Sequence, residues 1–248
     1  MADSDLYTAA LAVYDFENNS NDTKGDYNLT AGGAPSYSDV DYKQGSYSGS
    51  LDGSDDYWYS ESDDFDMAGG DYSVAFWYKT PASPGTKGIV AKMIAAQQDG
   101  WWVGTCWCGT HSRIEFANRH LTNWSGDTCF AHYALSANTW YHVCMAHDAS
   151  ADTSTWWIST SVHGDVCDAD AQAQTKHPAS AAAANFGIGI TGYGDIGIGG
   201  FDEVVVWKNY VLTDDDAQAL FAGDWRETGG TPVDITVSES LSVSELQP

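Results

Sequence analysis

The segment 199–221, GGFDEVVVWKNYVLTDDDAQALF, constrains the fold of this chain more than any other stretch, because it encodes a strand, a turn and a short helix in succession. In a strand with a two-residue period, the run 204–207 places β-branched and aromatic side chains on both faces. This pattern predicts a strand buried on at least one face. Thr213 is a suitable N-cap, and the aspartates 214–216 favour the positive end of a helix dipole. Gly223 supplies a stop for that helix.

The rest of the chain indicates an all-β protein. Short runs rich in Tyr, Trp, Val and Ile are separated by Gly, Ser, Asn and Asp, and only the segment 213–222 has a convincing helical pattern. A chain of 248 residues buries a full core, and β-sandwiches of this length commonly form one domain. We therefore predict one sandwich domain over 1–223, followed by a linker and an extended tail over 224–248.

Four further stretches resemble, in the same order, motifs of the laminin G-like family of concanavalin A-type jelly rolls. They are YDFENNSNDTKGDYNLT at 14–30, GSYSGSLDGSDDYWYS at 45–60, DYSVAFWYKT at 71–80 and TWYHVCMAHDA at 139–149. The resemblance implies an antiparallel β-sandwich of the concanavalin A-like jelly-roll type with one short C-terminal helix. Between Trp101 and Ala137 the chain departs from the family pattern.

The charge balance excludes two classes of partner. The chain has 35 acidic and 10 basic residues, a formal net charge of −25. Such a surface repels nucleic acid phosphates and anionic lipid headgroups, so we expect neither nucleic acid nor membrane as a partner. The acidity fits a heavily solvated surface, and it also fits carboxylates that converge on a hard cation such as Ca²⁺.

A calcium site is implied by the resemblance. In the family, a cation lies where the opening turn meets the Asp-Gly strand and the closing Asp-Glu strand, and these positions correspond to Asp22, Asp52 and Asp202. Carboxylates and backbone carbonyls in such turns are the ligands that Ca²⁺ prefers. In the alternative interpretation, Asp52 and Asp55 cap a turn and Asp202 accepts hydrogen bonds from a neighbouring loop.

Tryptophan offers the most plausible binding chemistry. The chain has 11 Trp, with doublets at 101–102 and 156–157. Neighbours in a strand point to opposite faces, so one member of each doublet fills the core while the other faces outward, unless both faces are covered. An outward Trp stacks on a sugar or anchors a protein contact. The predicted glycan-binding residues are Trp102, Trp124, Trp157 and Asn123.

Catalysis is not predicted. Glu61, Asp63 and Asp66 have the spacing of the Glu-x-Asp-x-x-Glu carboxylates of concanavalin A-like glycoside hydrolases. The third position is the shorter Asp, however, and the segment resembles a loop in which alternate residues are not held toward one substrate. The chain also lacks a Gly-x-Ser-x-Gly elbow. We interpret the spacing as chance and predict that the protein is not an enzyme.

The five cysteines are predicted to be mostly free thiols, because an odd number fits no complete disulfide framework. Cys144 lies in an alternating strand and is expected to be a small buried residue. Cys106, Cys108, His111 and Cys129 do not have the spacing of the common zinc sites. Buried thiols or a Cys106–Cys129 disulfide are preferred to zinc.

The tail has a strand-like pattern of its own. Val233, Ile235 and Val237 alternate with polar residues, and we predict that they dock on the sheet edge of a neighbouring subunit by β-augmentation. The opening sequence is acidic and lacks the basic start of a signal peptide, which favours synthesis in a host cytoplasm.

These observations favour a non-catalytic structural protein of a virion surface. We expect a phage capsid decoration or tail component, homo-oligomeric or bound to other virion proteins, which also binds host or environmental glycans. The first alternative is a stand-alone, extracellular, calcium-dependent lectin. The second is a glycoside hydrolase of the concanavalin A-like fold.

Overall fold

Two antiparallel sheets packed face to face form the body of the protein. The computed structural model describes residues 4–83, 87–93, 99–108, 111–120, 128–130, 134–175, 177–190, 194 and 196–226. Within these ranges every pairing between named strands is antiparallel. The predicted antiparallel β-sandwich is therefore confirmed.

The strands of each sheet lie side by side in an order that differs from their order along the chain. From edge to edge, sheet A contains β13 (Cys167–Ala173), β12 (Thr153–Ser159), β11 (Trp140–Asp148), β6 (Tyr72–Lys79), β15 (Ile198–Lys208), β4 (Ser48–Asp52) and β3 (Ser36–Ser38), with β1 (Ala12–Tyr14) also paired to β15. Sheet B contains β10 (Thr128–Phe130), β9 (His111–His120), β8 (Asp99–Cys108), β7 (Lys87–Met93), β14 (Phe186–Ile188), β5 (Tyr57–Ser60) and β2 (Thr30–Gly32). The helices are α1 (Ser4–Ala9), α2 (Asp214–Ala222) and a short 3-10 helix, Asp63–Phe65.

The main core lies between the two sheets and is rich in aromatic side chains. Phe65 stacks on Phe186 with ring centroids 4.0 Å apart, and Trp101 packs nearby while its indole N–H donates to the Phe65 carbonyl. Val204 and Val206 of β15 belong to this core. The alternating pattern of β15 thus places one of its faces between the sheets.

A second apolar layer covers the outer face of sheet A. Val205 and Trp207, the other face of β15, pack there with residues of α1, α2 and the turn after α2. The Trp207 indole N–H donates to the Leu6 carbonyl at 2.9 Å, and its ring contacts Trp225. The centre of sheet A is therefore buried on both faces, which explains why residues 204–207 of β15 are all apolar.

Helix α2 begins and ends at the residues that the sequence predicts. Thr213 is its N-cap, with its hydroxyl accepting from the Asp216 N–H and the Asp216 carboxylate accepting from the Thr213 N–H. Gly223 has the left-handed backbone of a C-cap, with φ at 80°. Helix α1, by contrast, lies outside the segment 213–222, which alone has a convincing helical pattern in the sequence.

The packing of the domain continues beyond the predicted boundary at Gly223. Trp225 is buried, and Arg226 contacts the carboxylates of Glu203 and Asp15. The tail residues Val233, Ile235 and Val237 lie outside the described residues. Neither α-helix in the described ranges has the length and apolar character needed to cross a membrane.

Candidate functional site

A groove opens at one rim of the sandwich, between the loop 63–71 on one side and residues 175 and 177–180 on the other. It consists of two adjoining cavities, of about 300 Å³ and about 600 Å³, which share Ala68. We call it the rim groove. Its described polar lining comprises Asp63, Asp66, Asp71, Lys208 and Asn209 in the smaller cavity, and Thr175, His177 and Ser180 in the larger one.

Several polar groups of the smaller cavity are held by internal hydrogen bonds. Asp71 Oδ1 accepts from the Ala149 N–H at 2.8 Å, and the Asp71 carbonyl accepts from the Asn209 N–H at 2.8 Å. Asn209 has a left-handed backbone, with φ at 59°, and its side chain is exposed. Lys208 donates from Nζ to the Asp64 carbonyl. The Asp71 carboxylate is thus held in place by the backbone, and the backbone of Asn209 is held beside it.

The larger cavity is lined by the outermost member of a hydrogen-bonded histidine pair. His177 Nδ1 lies 3.1 Å from His147 Nε2, and His147 Nδ1 lies 3.1 Å from the Ser154 hydroxyl. On its other side, His177 Nε2 lies 3.3 Å from Asp152 Oδ1. Burial lowers the pKa of His147 to about 4, so this ring is neutral at physiological pH. The pair therefore fixes the orientation of the His177 imidazole at the groove wall.

A buried lysine supports the loop from below. Lys92 is fully enclosed, and its ammonium donates to the Ser62 and Ala184 carbonyls at 2.9 and 2.8 Å. Asp63 Oδ1 lies 3.6 Å from the same ammonium. Burial lowers the pKa of Lys92, while the neighbouring Asp63 carboxylate opposes that shift. Lys92 thus anchors the loop 63–71 to sheet B.

Two of the three acids with the glycosidase-like spacing, Asp63 and Asp66, lie in the loop 63–71. Asp63 begins the 3-10 helix with Ser62 as N-cap, so Asp63 and Asp66 do not project from a strand. Asp66 accepts from the Ser180 hydroxyl at 2.5 Å and from the Ala181 N–H at 3.3 Å. Glu61 is not among the described residues that line the rim groove. Asp66 therefore joins the two walls of the groove.

The three predicted calcium ligands do not come together. Neither Asp22 nor Asp202 belongs to any set of three ligand-type side chains within 4.8 Å of one another in the described part of the chain. Asp22 is buried, and its two oxygens accept from the backbone N–H groups of Val13, Lys24, Asp26 and Tyr27. With four backbone donors, the Asp22 carboxylate stabilises the turn in which it lies.

Asp202 and Asp52 also make internal contacts. Asp202 Oδ2 accepts from the N–H groups of Lys43 and Gln44, as in the alternative interpretation, whereas its Oδ1 is buried without a described partner. Burial raises the pKa of Asp202 to about 8. Asp52 instead lies in a separate cluster with Asp55 and Asp56. Asp56 is the buried member, and it accepts from the N–H groups of Ala34 and Asp52.

The predicted sugar-stacking tryptophans are covered. Trp157 is 3% exposed because helices α1 and α2 cover its face of sheet A. Trp102 is 8% exposed and packs with Ala91 and Met93. The prediction that these two rings face solvent is thus wrong. Trp124 and Asn123 lie outside the described residues.

Two cysteines are free thiols, the state predicted for most cysteines of the chain. Cys144 and Cys167 are buried free thiols, and burial raises the pKa of both. Cys106 and Cys129 lie on β8 and β10, which are separated by β9. The side chains of both residues lie outside the described part of the structure, so the suggested Cys106–Cys129 bridge stays a prediction.

Among solved structures, similar folds occur in binding domains. Domain 4 of AbnA, a GH43 extracellular arabinanase from Geobacillus stearothermophilus solved with arabinotriose, is 17% identical with a TM-score of 0.56, covering 85% of this chain and 97% of its own. The binding domain of Paraclostridial Mosquitocidal Protein 1 is 12% identical with a TM-score of 0.64, and the match covers 88% of this chain and 53% of that domain. The binding domain of botulinum neurotoxin DC, solved with rat synaptotagmin II, is 10% identical with a TM-score of 0.57, and the match covers 90% of this chain and 53% of that domain.

These likenesses show the fold alone, and the chain spans about half the length of the two toxin binding domains. No curated protein sequence matches the chain. A family model does match residues 52–218, well over half of the chain, and it includes β15 and most of α2. The chain belongs to the concanavalin A-like lectin/glucanases superfamily.

Proposed function

We propose that this chain is a non-catalytic carbohydrate-recognition module and that the rim groove holds the sugar. The observation that carries the proposal is an open groove in which internal hydrogen bonds hold the Asp71 carboxylate and the His177 imidazole beside the exposed Asn209 carboxamide. Binding to such groups avoids much of the entropic cost of ordering them. The arabinotriose bound to the similar arabinanase domain supports a sugar as the ligand class.

The groups in the rim groove complement sugar hydroxyls. Asp71 uses only Oδ1 internally, so Oδ2 has capacity to accept a hydroxyl hydrogen bond. The Asn209 carboxamide has no hydrogen-bond partner among the described residues, and it both donates and accepts. A hydroxyl group has the same dual capacity. The two side chains together therefore suit a pair of neighbouring hydroxyls.

The surroundings of the acidic residues favour recognition over hydrolysis. A glycosidase needs two carboxyl groups held on either side of the scissile bond, one as acid and one as base or nucleophile. Asp66 is occupied by Ser180 and Ala181, and Asp63 lies beside the Lys92 ammonium on a 3-10 helix. These contacts give both acids a role in supporting the groove wall.

Replacing Asn209 with Gly tests the site. The substitution removes the carboxamide, while glycine keeps the left-handed backbone at low cost. We expect at least a tenfold loss of affinity, measured by calorimetry for the best ligand from a glycan array. The matched control is Asn138→Gly, since Asn138 is exposed, lies elsewhere and has φ at 53°. Equal affinities of the two variants, or a wild-type protein that binds no glycan, would contradict the proposal.

We further propose that the module is displayed on a virus particle and contacts a neighbouring subunit through its tail. The alternating apolar residues at 233–237 support a strand-adding contact, and the net charge of −25 supports an outward, solvated position.

The tail contact is tested by replacing Val233, Ile235 and Val237 together with Ser. We expect loss of oligomers in analytical ultracentrifugation and loss of binding to purified particles, because the added strand loses its apolar face. Replacing Ser238, Ser240 and Ser242 with Ala is the matched control in the same segment. Unchanged assembly of the triple Ser variant would refute this part of the proposal.

A further inference from the structure

A second group of ligand-type side chains lies where the N-terminus of α2 meets the turn between β12 and β13. His163 comes from that turn, Asp168 from β13 and Asp214 from the first residue of α2. One donor atom of each residue lies within 4.8 Å of a donor atom of each of the others. The cluster shares no residue with the rim groove, and the sequence singles out only Asp214 of the three, as a residue of the first turn of α2.

The cluster has an excess of negative charge. Its two carboxylates are exposed and close together, and like charges at such distances repel. In the described part of the chain, no Lys or Arg forms an ion pair with either of them. Among the residues that the structure describes, His163 is the one basic side chain in contact, with Nε2 3.0 Å from Asp214 Oδ1.

The geometry around His163 suits a metal ion. Two ligand atoms that bind one tetrahedral zinc ion at about 2.1 Å lie about 3.4 Å apart. His163 Nε2 and Asp214 Oδ1 lie 3.0 Å apart, at hydrogen-bond distance. An increase of about 0.4 Å in this separation would let both bind one ion. The other ring nitrogen, Nδ1, is buried, so Nε2 is the nitrogen that faces the carboxylates.

The backbone next to His163 brings the third ligand close. Gly164 has a left-handed φ of +70°, and a Cβ atom at this position would meet the Asp168 side chain at 3.0–3.1 Å. Glycine therefore permits both the turn and the approach of the Asp168 carboxylate. The imidazole also lies near the ring of Phe221, with centroids 6.3 Å apart.

We propose that His163, Asp168 and Asp214 bind a divalent transition metal of the Zn²⁺ type. An imidazole nitrogen with two carboxylates favours borderline ions over Mg²⁺ and Ca²⁺, which prefer oxygen alone. Three protein ligands leave a position for water. The ion neutralises the two carboxylates and fastens the start of α2 to the edge strand β13. Binding to the folded state alone raises thermal stability.

Zinc titration of the full-length protein, stripped with EDTA, tests the proposal. Cysteines and histidines elsewhere also bind zinc, so the informative quantity is the difference between variants. Relative to wild type, we expect His163→Gln and Asp168→Asn each to lose one equivalent of Zn²⁺ by calorimetry, or to bind it at least tenfold more weakly. Both variants are also expected to lose the zinc-dependent rise in melting temperature.

The control variant is Asp55→Asn, from the all-carboxylate cluster Asp52, Asp55 and Asp56, which should bind zinc like wild type. MgCl₂ at the same concentration should not reproduce the stabilisation. The proposal is overturned if wild type binds no Zn²⁺. It is equally overturned if both variants retain the wild-type stoichiometry and affinity, or if Mg²⁺ stabilises as strongly as Zn²⁺.

Discussion

Two neighbouring carboxyl groups at the bulge of β15 are unusual residues for the interior of a protein. The pairing of β15 with β6 shifts between Asp202 and Val205, and Glu203 has a left-handed φ of 50°. Burial raises the pKa of Asp202 to about 8 and that of Glu203 to about 7, although Arg226 beside Glu203 opposes the second shift. Both groups therefore retain protons near neutral pH that the unfolded chain releases.

This difference predicts that stability falls as pH rises. The ordinary pKa values are 3.8 for Asp202 and 4.5 for Glu203. The stability that the two protonated groups contribute is fully present below these values. It is lost as the pH rises through the folded-state pKa values, about 7 for Glu203 and about 8 for Asp202. Buried His142 and His147 act in the opposite direction, but only below their ordinary pKa of 6.5. Between pH 6.5 and 8.5 the carboxyl groups dominate, with a slope of up to roughly 1.4 kcal/mol per pH unit for each group.

Urea unfolding at pH 6.5 and pH 8.5 measures this effect. Asp202→Asn is the informative variant, since an amide resembles the protonated acid and still accepts from the Lys43 and Gln44 N–H groups. We expect the variant to lose much of the pH dependence while wild type keeps it. A flat wild-type profile over this interval would show that the buried carboxyl groups titrate normally.

At the scale of elements, α2 is the part whose ends are encoded locally. Thr213 and Asp216 exchange hydrogen bonds across the first turn, and Gly223 ends the last one. Its inner side covers Trp157 and Val205 through Ala217 and Leu220. The helix therefore combines a local start signal with a tertiary role as the cover of sheet A.

Replacing Thr213 with Ala is expected to destabilise the protein by about 1 kcal/mol, because the Asp216 N–H loses its acceptor. Denaturant unfolding with Asp215→Asn as the neighbouring control measures the effect. Asp215 is exposed and has no side-chain hydrogen bond among the described residues, so its replacement should cost much less. Equal losses would indicate that charge near the helix dipole, and not the cap, stabilises this end.

Local sequence patterns predict the elements of this protein better than they predict the surroundings of those elements. Strand β15 and helix α2 are predictable because a two-residue period and a capping residue are properties of short segments. Helix α1 escapes prediction because it is only six residues long and depends on packing against Trp207. The alternation of the Trp doublets is correct, yet Trp157 is covered by helices that lie far from it along the chain.

At the scale of the whole molecule, the candidate sites are assembled from distant segments. The rim groove joins residues 63–71, 175, 177–180 and 208–209, and the proposed metal cluster joins 163–168 to Asp214. No single motif contains either set, so the sheet topology is needed to find them. The sequence does single out Asp63 and Asp66, but from a spacing that belongs to a different chemistry.

The central place of β15 in sheet A has a consequence for how the protein is made. It is the last strand of the described chain, yet it lies between β6 on one side and β4 with β1 on the other. A nascent chain on the ribosome cannot complete sheet A until residue 208 has emerged. Until then the edges of β6, β4 and β1 lack their partner and are open to pairing with other chains. Slow synthesis of the last quarter of this protein would therefore favour aggregation.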